Sequence, residues 1–413
     1  MNRLRSIVFS TICILVLGCI LITKGLEHSP FSSVIANVCK ETSQLEGRNY
    51  EHFPKPKLST IIDASFQADF EQAVADSTPL RDQALLLNAG LQRMSIACAN
   101  RVFGYSCYPT FYGSNWAYVP SHDAVVQKLN TASSNYLQSM DRAASSINAL
   151  ADSHENVSFY LLALDRPDAS DANPTVSYVS NPLTYTTVDE NLYSKLGPAV
   201  TVSRHPYLSE DDLFSSLYRT DHHWHTSTAY DRYAEQVVLM NPSTTPAAVE
   251  NRISYDSIDF FGACSRTGLC KPQTPDHVDD VVIDMSSFKV TLNGTEYAGD
   301  MLSHSETYLN GNINDDVFTN RYAEYFHSDW GLWQIDNPAA QSDRSLLIVR
   351  DSYGCCTERF YAANYAHVYV IDFRHTELTA AQMLAEHPDI SDVLILMGWN
   401  NIASEAGIRG LTP

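Results

Sequence analysis

The fold is decided by SLLIVRDSYGCCTERFYAANYAHVYVIDFRHTELTAAQMLAEHPDISDVLILMGWNN, residues 345–401. Three apolar runs alternate there with two segments of helical pattern. The runs are SLLIV (345–349), HVYVID (367–372) and DVLILM (392–397), and the helical segments span 355–366 and 376–387. Strands that alternate with helices of this length are typical of βαβ units. The pattern therefore predicts an α/β fold with a parallel sheet.

A polar cluster follows each of the three apolar runs. The clusters are Arg350-Asp351-Ser352, Asp372-Phe373-Arg374 and Gly398-Trp399-Asn400-Asn401. In open parallel sheets, ligands bind beyond the carboxyl ends of the strands. The sequence thus predicts a functional site at this edge of the sheet.

The segment TDHHWHTSTAY, residues 220–230, concentrates one carboxylate and three imidazoles. Such a cluster is one way to bind a metal ion. Alternatively, Asp221 orients His223, and His223 takes a proton from a nucleophile. Ser352 is the candidate nucleophile, because it lies between a buried strand and a helix whose N-terminus favours developing negative charge. Taken alone, Ser352 is also explained as a helix cap.

These motifs together carry a family resemblance. RDSYG, TDHHW and Gly398-Trp399-Asn400 resemble the sequence blocks of SGNH-type hydrolases. The Asp/His block precedes the Ser block, which is similar to the permuted order of the alginate O-acetylation proteins. The DHHW stretch itself resembles the related bacterial DHHW protein family. DFEQAVADSTPLRD (69–82) and TFYGSNWAYV (110–119) extend the resemblance over most of the chain after residue 24.

The resemblance implies a three-layer, SGNH hydrolase-like (flavodoxin-like) parallel sheet with an N-terminal helical segment and an inserted irregular β-containing region. We expect a membrane anchor at residues 1–24, a stalk with helices and a hairpin at 25–120, and the hydrolase-like domain at 121–413. Residues from about 252 to 330 interrupt the strand–helix rhythm and are rich in Asp, Asn, Gly and Tyr. They are interpreted as the insertion, lying beside the sheet.

The resemblance also implies a serine mechanism for acyl esters. Ser352 would attack the ester, His223 would act first as base and then as acid, and Asp221 would orient the imidazole. Five further residues are predicted to hold the oxyanion or the substrate, and they are Asn400, Gly398, Arg374, Trp224 and Tyr353. Of these, Asn400 would share the oxyanion with the backbone N–H of Ser352. No cofactor and no metal are expected.

The sequence departs from the family pattern near the nucleophile. Arg350 replaces the Gly that usually precedes the Asp-Ser pair, and the usual oxyanion Gly has no clear counterpart. Cys355 and Cys356 stand where small or polar residues are expected. These departures keep open a non-catalytic glycan-binding or assembly protein on the same fold.

The N-terminus has the pattern of a membrane anchor. Arg3 and Arg5 precede the uncharged run SIVFSTICILVLGCILIT, residues 6–23. This run is long enough to cross a bilayer, and a positive flank stays cytoplasmic. We therefore expect an anchored protein that faces the cell exterior. A cleaved signal peptide and lipid attachment at Cys19 are the alternatives.

The composition limits the classes of molecule that the protein is expected to bind. The 413 residues carry a net charge of −21, which argues against nucleic acid because phosphate binding needs a basic surface. Nine cysteines include two within residues 1–24, and the odd remainder leaves at least one thiol free or intermolecular in an oxidising compartment. Cys98 with Cys107, and Cys264 with Cys270, are close enough in sequence to close short loops.

The expected function is an exported O-acyltransferase or acylesterase that acts on acetyl groups of a cell-surface glycan. A sugar hydroxyl as acceptor gives a transferase, and water gives an esterase. Because acetyl-CoA is not available outside the membrane, the resemblance implies a membrane-bound O-acyltransferase partner that passes acyl groups across. A metal-dependent hydrolase that uses the His cluster is a third hypothesis.

Overall fold

The computed structural model describes residues 10–11, 14–15, 18–23, 25–26, 29–30, 32–311, 316–327, 329–340 and 342–413. The chain divides into two compact units. The first comprises Met1–Gly104, Thr110–Ser114 and Arg266–Lys271, and the second comprises Tyr105–Pro109, Asn115–Ser265 and Pro272–Pro413.

Much of the expected anchor at residues 1–24 lies outside the described residues. In the part of the chain that is described, no helix combines the length and the apolar character needed to cross a bilayer. The anchor therefore stays a prediction.

The first unit is mainly helical. Its helices are α1 (Ser32–Val38), α2 (Leu58–Ile62), α3 (Ser65–Asp76) and α4 (Arg81–Phe103), and its short strands are β1 (Thr42–Ser43) and β2 (Arg48–Asn49). The break between α3 and α4 falls at Pro79, which lacks the N–H that would continue a helix. Asp76, at the end of α3, is buried and accepts a hydrogen bond from Arg48 Nη1 at 2.7 Å, so its charge is compensated.

The strands of the second unit form one large mixed sheet and two small antiparallel ones. They are β3 (Tyr108–Pro109), β4 (Trp116–Val119), β5 (Ala124–Gln127), β6 (Ser158–Ala163), β7 (Val200–Arg204), β8 (Asn251–Ser254), β9 (Asp279–Val282), β10 (Lys289–Leu292), β11 (Thr295–Ala298), β12 (Leu332–Asp336), β13 (Ser345–Arg350), β14 (His367–Ile371) and β15 (Ile390–Leu396). The large sheet has the order β11-β10-β12-β14-β13-β15-β6-β7.

Neighbours from β14 to β7 in this order are parallel, whereas β12, β10 and β11 pair antiparallel at one edge. The predicted α/β fold with a parallel-rich sheet is confirmed. The antiparallel edge was not predicted.

The remaining helices are α5 (Ser134–Asp152), α6 (Tyr185–Asn191), α7 (Glu210–Ser216), α8 (Thr226–Met240), α9 (Ala263–Thr267), α10 (Ser305–Leu309), α11 (Arg321–Tyr325), α12 (Glu358–Ala362), α13 (Ala380–Glu386), α14 (Trp399–Ile402) and α15 (Glu405–Gly410). The central strands are buried on both faces. In β13, Leu346 and Ile348 join one core cluster, and Leu347 and Val349 join another. Burial on both faces explains why β13 reads as a continuous apolar run rather than an alternating one.

Residues 252–330 are only partly separate from the sheet. β10 and β11 form a hairpin at the Asn293-Gly294 turn and extend the large sheet at its antiparallel edge. The remaining strand pair, β8 with β9, stands apart from it. The expectation that this whole region lies beside the sheet is thus wrong for β10 and β11, whose four-residue strands were too short to be assigned to a sheet from their pattern.

The helices that connect the last three strands are shorter than predicted. α12 follows a 3₁₀ turn at residues 352–354. α13 begins after Thr379, whose side chain accepts from the Gln382 N–H while the Gln382 side chain accepts from the Thr379 N–H. This capping box fixes the first helical residue at Ala380, four residues after the predicted start at 376.

Candidate active site

Asp221, His223 and Ser352 lie in one hydrogen-bonded line. His223 Nδ1 is 2.7 Å from Asp221 Oδ1, and His223 Nε2 is 2.9 Å from Ser352 Oγ. Because a carboxylate can only accept, Nδ1 carries the proton and Nε2 is left to accept the Ser352 hydroxyl. The structure therefore brings together the three residues that the sequence predicts as nucleophile, base and orienting carboxylate. A nucleophile–base–orienter chain of this geometry can activate a serine.

Ser352 stands on a turn at the carboxyl end of β13, where Asp351 anchors the backbone. The buried Asp351 carboxylate accepts the N–H of Tyr353 at 3.0 Å, the N–H of Gly398 at 2.8 Å and the side-chain amide of Asn401 at 2.6 Å. The turn after β13 is thereby tied to the turn after β15. Ser352 itself is half-buried, in contrast to the fully buried Asp351 before it.

Asp221 is held in place by a close approach of the chain at Gly262. The Ala263 N–H donates to Asp221 Oδ2 at 2.7 Å, and a Cβ on Gly262 would lie 2.2 Å from the same oxygen. Only glycine fits there. Burial alone would raise the pKa of Asp221, but His223 and His222 together with these hydrogen bonds hold the pKa far below its ordinary value. Asp221 is therefore a permanent anion beside the imidazole.

Of the neighbouring histidines, His223 is the one that faces the serine. The His222 ring packs against His223 at 4.1 Å between centroids, and His222 Nδ1 is 3.4 Å from Asp221 Oδ1. His225 turns to another carboxylate, with Nδ1 3.0 Å from Asp279 Oδ1. Only His223 therefore bridges Asp221 and Ser352 among these three.

Tyr322 is a site residue that the sequence did not reveal. Its ring stacks on His223 with centroids 4.0 Å apart and planes 4° apart, and its hydroxyl donates to the Ser352 carbonyl at 3.1 Å. Burial raises the pKa of Tyr322 well above its ordinary value, so the hydroxyl keeps its proton. Tyr322 thus fixes both the plane of the imidazole and the backbone of the nucleophile. Its only sequence signal is its place in α11, within the Tyr-rich region 252–330.

Trp224 and Tyr353 are core residues that pack behind the Asp221–His223–Ser352 hydrogen bonds. Trp224 Nε1 donates to the Tyr353 carbonyl at 3.0 Å, and the Tyr353 hydroxyl donates to the His222 carbonyl. Both side chains are almost completely buried, at 2% and 1% exposed. Their geometry connects the Asp/His segment to the Ser turn. A direct contact with substrate, as predicted from the resemblance, would need these side chains to be reachable, and they are not.

Gly398 and Asn400 lie where the turn after β15 meets Arg166. The Gly398 N–H is already committed to Asp351. A Cβ on Gly398 would lie 2.5 Å from Arg166 Cδ and 2.8 Å from Asn400 Oδ1, so the position requires glycine. Asn400 Oδ1 is buried and finds no hydrogen-bond partner among the described residues. This oxygen can only accept a hydrogen bond, whereas an oxyanion needs a donor. An oxyanion role for Asn400 would therefore belong to its Nδ2, and that role stays a prediction.

Arg166 is a second residue that the sequence did not reveal. It follows β6, donates from Nε to Asp168 at 2.9 Å, and its guanidinium lies 5.2 Å from the centre of the Tyr353 ring. The pKa of Arg166 is raised, because burial lowers it less than the charges of Asp168 and Asp351 raise it. Arg166 thus places a permanent cation behind the Ser turn.

Arg374 is engaged in ion pairs. Its Nε donates to Asp372 at 2.9 Å, and its Nη2 is 3.0 Å from Asp329 Oδ2. Arg350, which replaces the usual Gly, joins the same group through Nη1, 2.8 Å from Asp329 and 3.3 Å from Asp372. The predicted role of Arg374 in binding substrate stays a prediction.

The metal hypothesis meets a geometric difficulty. Ligand atoms of Asp221, His222 and His223 lie within 4.8 Å of one another. Both ring nitrogens of His223, however, already face hydrogen-bond partners at 2.7 and 2.9 Å. A metal on His223 would have to displace Asp221 or Ser352. The arrangement therefore fits a proton-transfer chain better than a metal site.

The two adjacent cysteines do not compete with Ser352. Cys355 Sγ points to Asp329 Oδ1 at 3.4 Å, whereas Cys356 Sγ is 3.9 Å from the Tyr353 carbonyl. Burial raises the pKa of Cys356 to about 12 and that of Cys355 well above its ordinary value. Both thiols therefore stay protonated and poorly nucleophilic.

No protein-family model and no curated protein matches the chain. Solved structures do. A DHHW family protein from Eubacterium siraeum aligns at 17% identity with a TM-score of 0.51, covering 70% of this chain and 95% of that one. PatB1 from Bacillus cereus, solved with a sulfonyl adduct, aligns at 16% identity with a TM-score of 0.52, covering 69% and 94%.

The O-acetyltransferase domain of Pseudomonas putida AlgJ also matches, at 12% identity and a TM-score of 0.37, over 71% of this chain and 91% of that one. At these identities the likeness to the first two proteins shows a shared fold. The resemblance to the DHHW family that the motifs predict is thus confirmed at the level of the fold.

Proposed function

We propose that the protein is a serine acyl-transfer enzyme that acts on O-acetyl groups of a cell-surface or extracellular glycan. The observation that carries the proposal is the line from Asp221 through His223 to Ser352, with both hydrogen bonds within 2.9 Å. The shared fold with PatB1, whose solved structure bears a sulfonyl adduct, supports it. We also propose the three-layer, SGNH hydrolase-like arrangement, supported by strands buried on both faces.

The first half-reaction would load the serine. Ser352 Oγ attacks the acyl carbonyl while His223 Nε2 takes the hydroxyl proton, and Asp221 stabilises the imidazolium that forms. The tetrahedral intermediate collapses with cleavage of the ester C–O bond, and His223 returns the proton to the departing alkoxide. The product of this half is an acetyl ester on Ser352 and a free alcohol.

The second half-reaction would unload it. A sugar hydroxyl, or water, gives its proton to His223 and attacks the Ser352 ester, which restores the serine hydroxyl. We assign the oxyanion in both halves to the Ser352 backbone N–H and the Asn400 amide. Removal of one such donor typically lowers the rate by about 100–1000-fold.

The cellular setting is also a proposal. The arginine-flanked apolar run at residues 6–23 supports a membrane anchor with the remaining chain outside. An enzyme outside the membrane needs an acyl donor other than cytoplasmic acetyl-CoA, so we propose a membrane-bound O-acyltransferase as the partner that supplies it.

The test is covalent labelling of the full chain. We expect turnover of a p-nitrophenyl acetate substrate and a sulfonyl fluoride adduct that mass spectrometry maps to Ser352. Ser352→Ala should lose the adduct and lower kcat by about 10⁴-fold or more. Ser215→Ala, at an exposed serine of α7, is the matched control and should keep both. Adding deacetylated cell-envelope polysaccharide then separates transfer from hydrolysis.

Absence of turnover together with absence of an adduct would contradict the proposal. It would favour the non-catalytic glycan-binding protein that the Arg350 departure keeps open. An adduct without turnover of the small ester would instead retain the activated serine and point to a stricter donor.

A further inference from the structure

Helix α4 exposes a continuous apolar surface. We call it the α4 stripe, and it consists of Leu87, Leu91, Met94, Cys98 and Val102. Successive members are three or four residues apart, so they lie on one face of the helix. The four residues other than Cys98 are 66%, 57%, 67% and 83% exposed, and Cys98 is exposed as well. Of the 23 residues of α4, only Ala89 is buried. Among the described residues, nothing covers this apolar face.

The α4 stripe is free of charge. Between Gln83 and Asn100, Arg93 is the only charged residue. The Arg93 guanidinium donates to the carbonyls of Thr110 and Leu269 at 3.4 and 3.2 Å, so it is held off the stripe. In a chain of net charge −21, this face is one where two like-charged molecules can approach without repulsion.

Cys98 adds an independent argument. The other cysteines after residue 24 are buried or half-buried, and they are Cys39, Cys107, Cys264, Cys270, Cys355 and Cys356. Cys98 is a free thiol, so the pairing with Cys107 that its spacing allows is not made. An exposed free cysteine in an exported chain is suited to an intermolecular contact. Its place within the apolar stripe indicates where that contact lies.

We propose that the α4 stripe is the interface with a second copy of this chain, packed as a parallel pair of helices. The surface is self-complementary, because each apolar side chain meets its own equivalent across a two-fold axis and no charge opposes the contact. The five side chains would bury on the order of 500 Å² per copy, which reaches the roughly 1,000 Å² of a specific interface. The inference does not depend on the proposed acyl chemistry.

The parallel direction follows from the proposed anchor. Two copies held in one membrane by residues 1–24 rise from it in the same direction. In a parallel pair, equivalent positions of the seam face each other, so Cys98 meets Cys98 of the second copy. In an antiparallel pair it would meet Leu91.

The test uses the full chain in mild detergent, with a short bismaleimide that adds one thiol across each of its double bonds. We expect a dimer mass by light scattering and a cross-link that mass spectrometry maps to Cys98 in both copies. Cys98→Ser should lose the cross-link and keep the dimer. Leu91→Glu should weaken the dimer by tenfold or more, since it places two like charges in an apolar seam.

Leu208→Glu is the matched control, because Leu208 is 87% exposed in the other unit, and it should change neither result. Circular dichroism checks that each variant is folded. A monomer at every concentration would overturn the proposal, as would a dimer that Leu91→Glu leaves intact. A Leu91-dependent dimer without the Cys98 cross-link would overturn the parallel arrangement, and stable capture of a different protein by the stripe would overturn the second copy as its occupant.

Discussion

The carboxyl ends of the neighbouring strands β13 and β14 carry the same kinds of residue and use them in opposite ways. Each strand is followed by an Asp close to an Arg or a Ser. At the end of β13, the Ser352 hydroxyl lies 2.9 Å from His223 Nε2, and Ser352 is half-buried. At the end of β14, Asp372 and Arg374 form an ion pair with each other.

The group at the end of β14 is a largely buried cluster of ion pairs formed by Arg350, Arg374, Asp329, Asp372 and Glu358. Arg350 and Asp372 are fully buried, and Arg350 lies 2.8 Å from Asp329 and 3.7 Å from Glu358. Burial would raise the pKa of Asp329, but the charges of Arg350 and Arg374 outweigh it and lower the pKa. Among the described residues, each of these charges lies within 4 Å of an opposite one.

Residue type alone therefore does not distinguish a reactive site from a structural one. Each group contains a carboxylate of lowered pKa, which is Asp221 at the buried site and the partly exposed Asp329 in the charge cluster. Asp221 is paired with a group that can exchange a proton, whereas Asp329 is paired with guanidinium groups that cannot. We therefore expect changes around Ser352 to affect activity first, and changes around Arg350 to affect stability first.

The largest effect expected on the reactive side is that of Asp221→Asn. An amide that donates to His223 Nδ1 reverses the tautomer and leaves Nε2 protonated, so kcat should fall by about 10⁴-fold. Thermal unfolding should change far less. Ester turnover and calorimetry on the same preparation check both parts.

The pH dependence sharpens this prediction. The pKa of Asp221 is lowered, so its stabilising contribution is present above the unfolded value near 4 and is lost only as the pH falls through the lower folded pKa. Asp221 is thus ionised from pH 5 to 9, and the Asn variant should show the same defect across that range. A defect that vanishes near pH 5 would mean that Asp221 is protonated there.

On the structural side, Arg350→Met should have the largest effect. It removes the buried guanidinium beside the buried Asp372 and Glu358, which typically costs about 3–5 kcal/mol. Chemical denaturation measures the loss. Arg142→Met, at an exposed pair with Glu405, is the matched control and should change stability little. An Arg350 variant with wild-type stability and no activity would place Arg350 on the reactive side.

The sequence was informative where the evidence was local. Asp221 and His223 are two residues apart, and Ser352 follows an unmistakable buried strand, so motif and strand position identified all three. The parallel strands β13, β14 and β15 were predictable for the same reason, since each is a largely apolar run, whereas β7 has the mixed sequence VTVSR and was not predicted. The antiparallel strands β10 and β11 have four residues each, and too short a pattern to reveal their partners.

What the sequence could not supply is pairing over long distances. Tyr322 reaches His223 from 99 positions away in the numbering, and nothing in its own segment marks it as a stacking partner. Asn400 and Asn401 are adjacent, and only the folded turn shows that Asn401 is the one bound to Asp351. The ion pair between Arg374 and Asp329 was not predicted either, because Asp329 lies in another segment of the chain.

Substitutions of Tyr322 test whether the orientation of the His223 ring affects the rate independently of the stability of the fold. Tyr322→Leu removes the ring that stacks on His223 and the bond to the Ser352 carbonyl, worth together about 1–3 kcal/mol, so kcat should fall by roughly 10–100-fold. Tyr322→Phe keeps the ring and should lose only about fivefold. KM should stay the same in both. A larger loss for Phe than for Leu would contradict the stacking role.

The smallest effect is expected for Arg374→Gln. This variant tests whether Arg374 belongs to the charge cluster at the end of β14 or to the site around Ser352. Arg374 is 28% exposed, so its pairs with Asp372 and Asp329 should contribute about 1 kcal/mol or less. If the Arg374 guanidinium only forms these ion pairs, the Gln variant should keep KM for the acetyl ester and for the polysaccharide acceptor within about twofold of wild type. Its unfolding midpoint should shift slightly. A tenfold rise in KM at unchanged stability would instead show that Arg374 turns to the substrate, and the end of β14 would then belong to the reactive side.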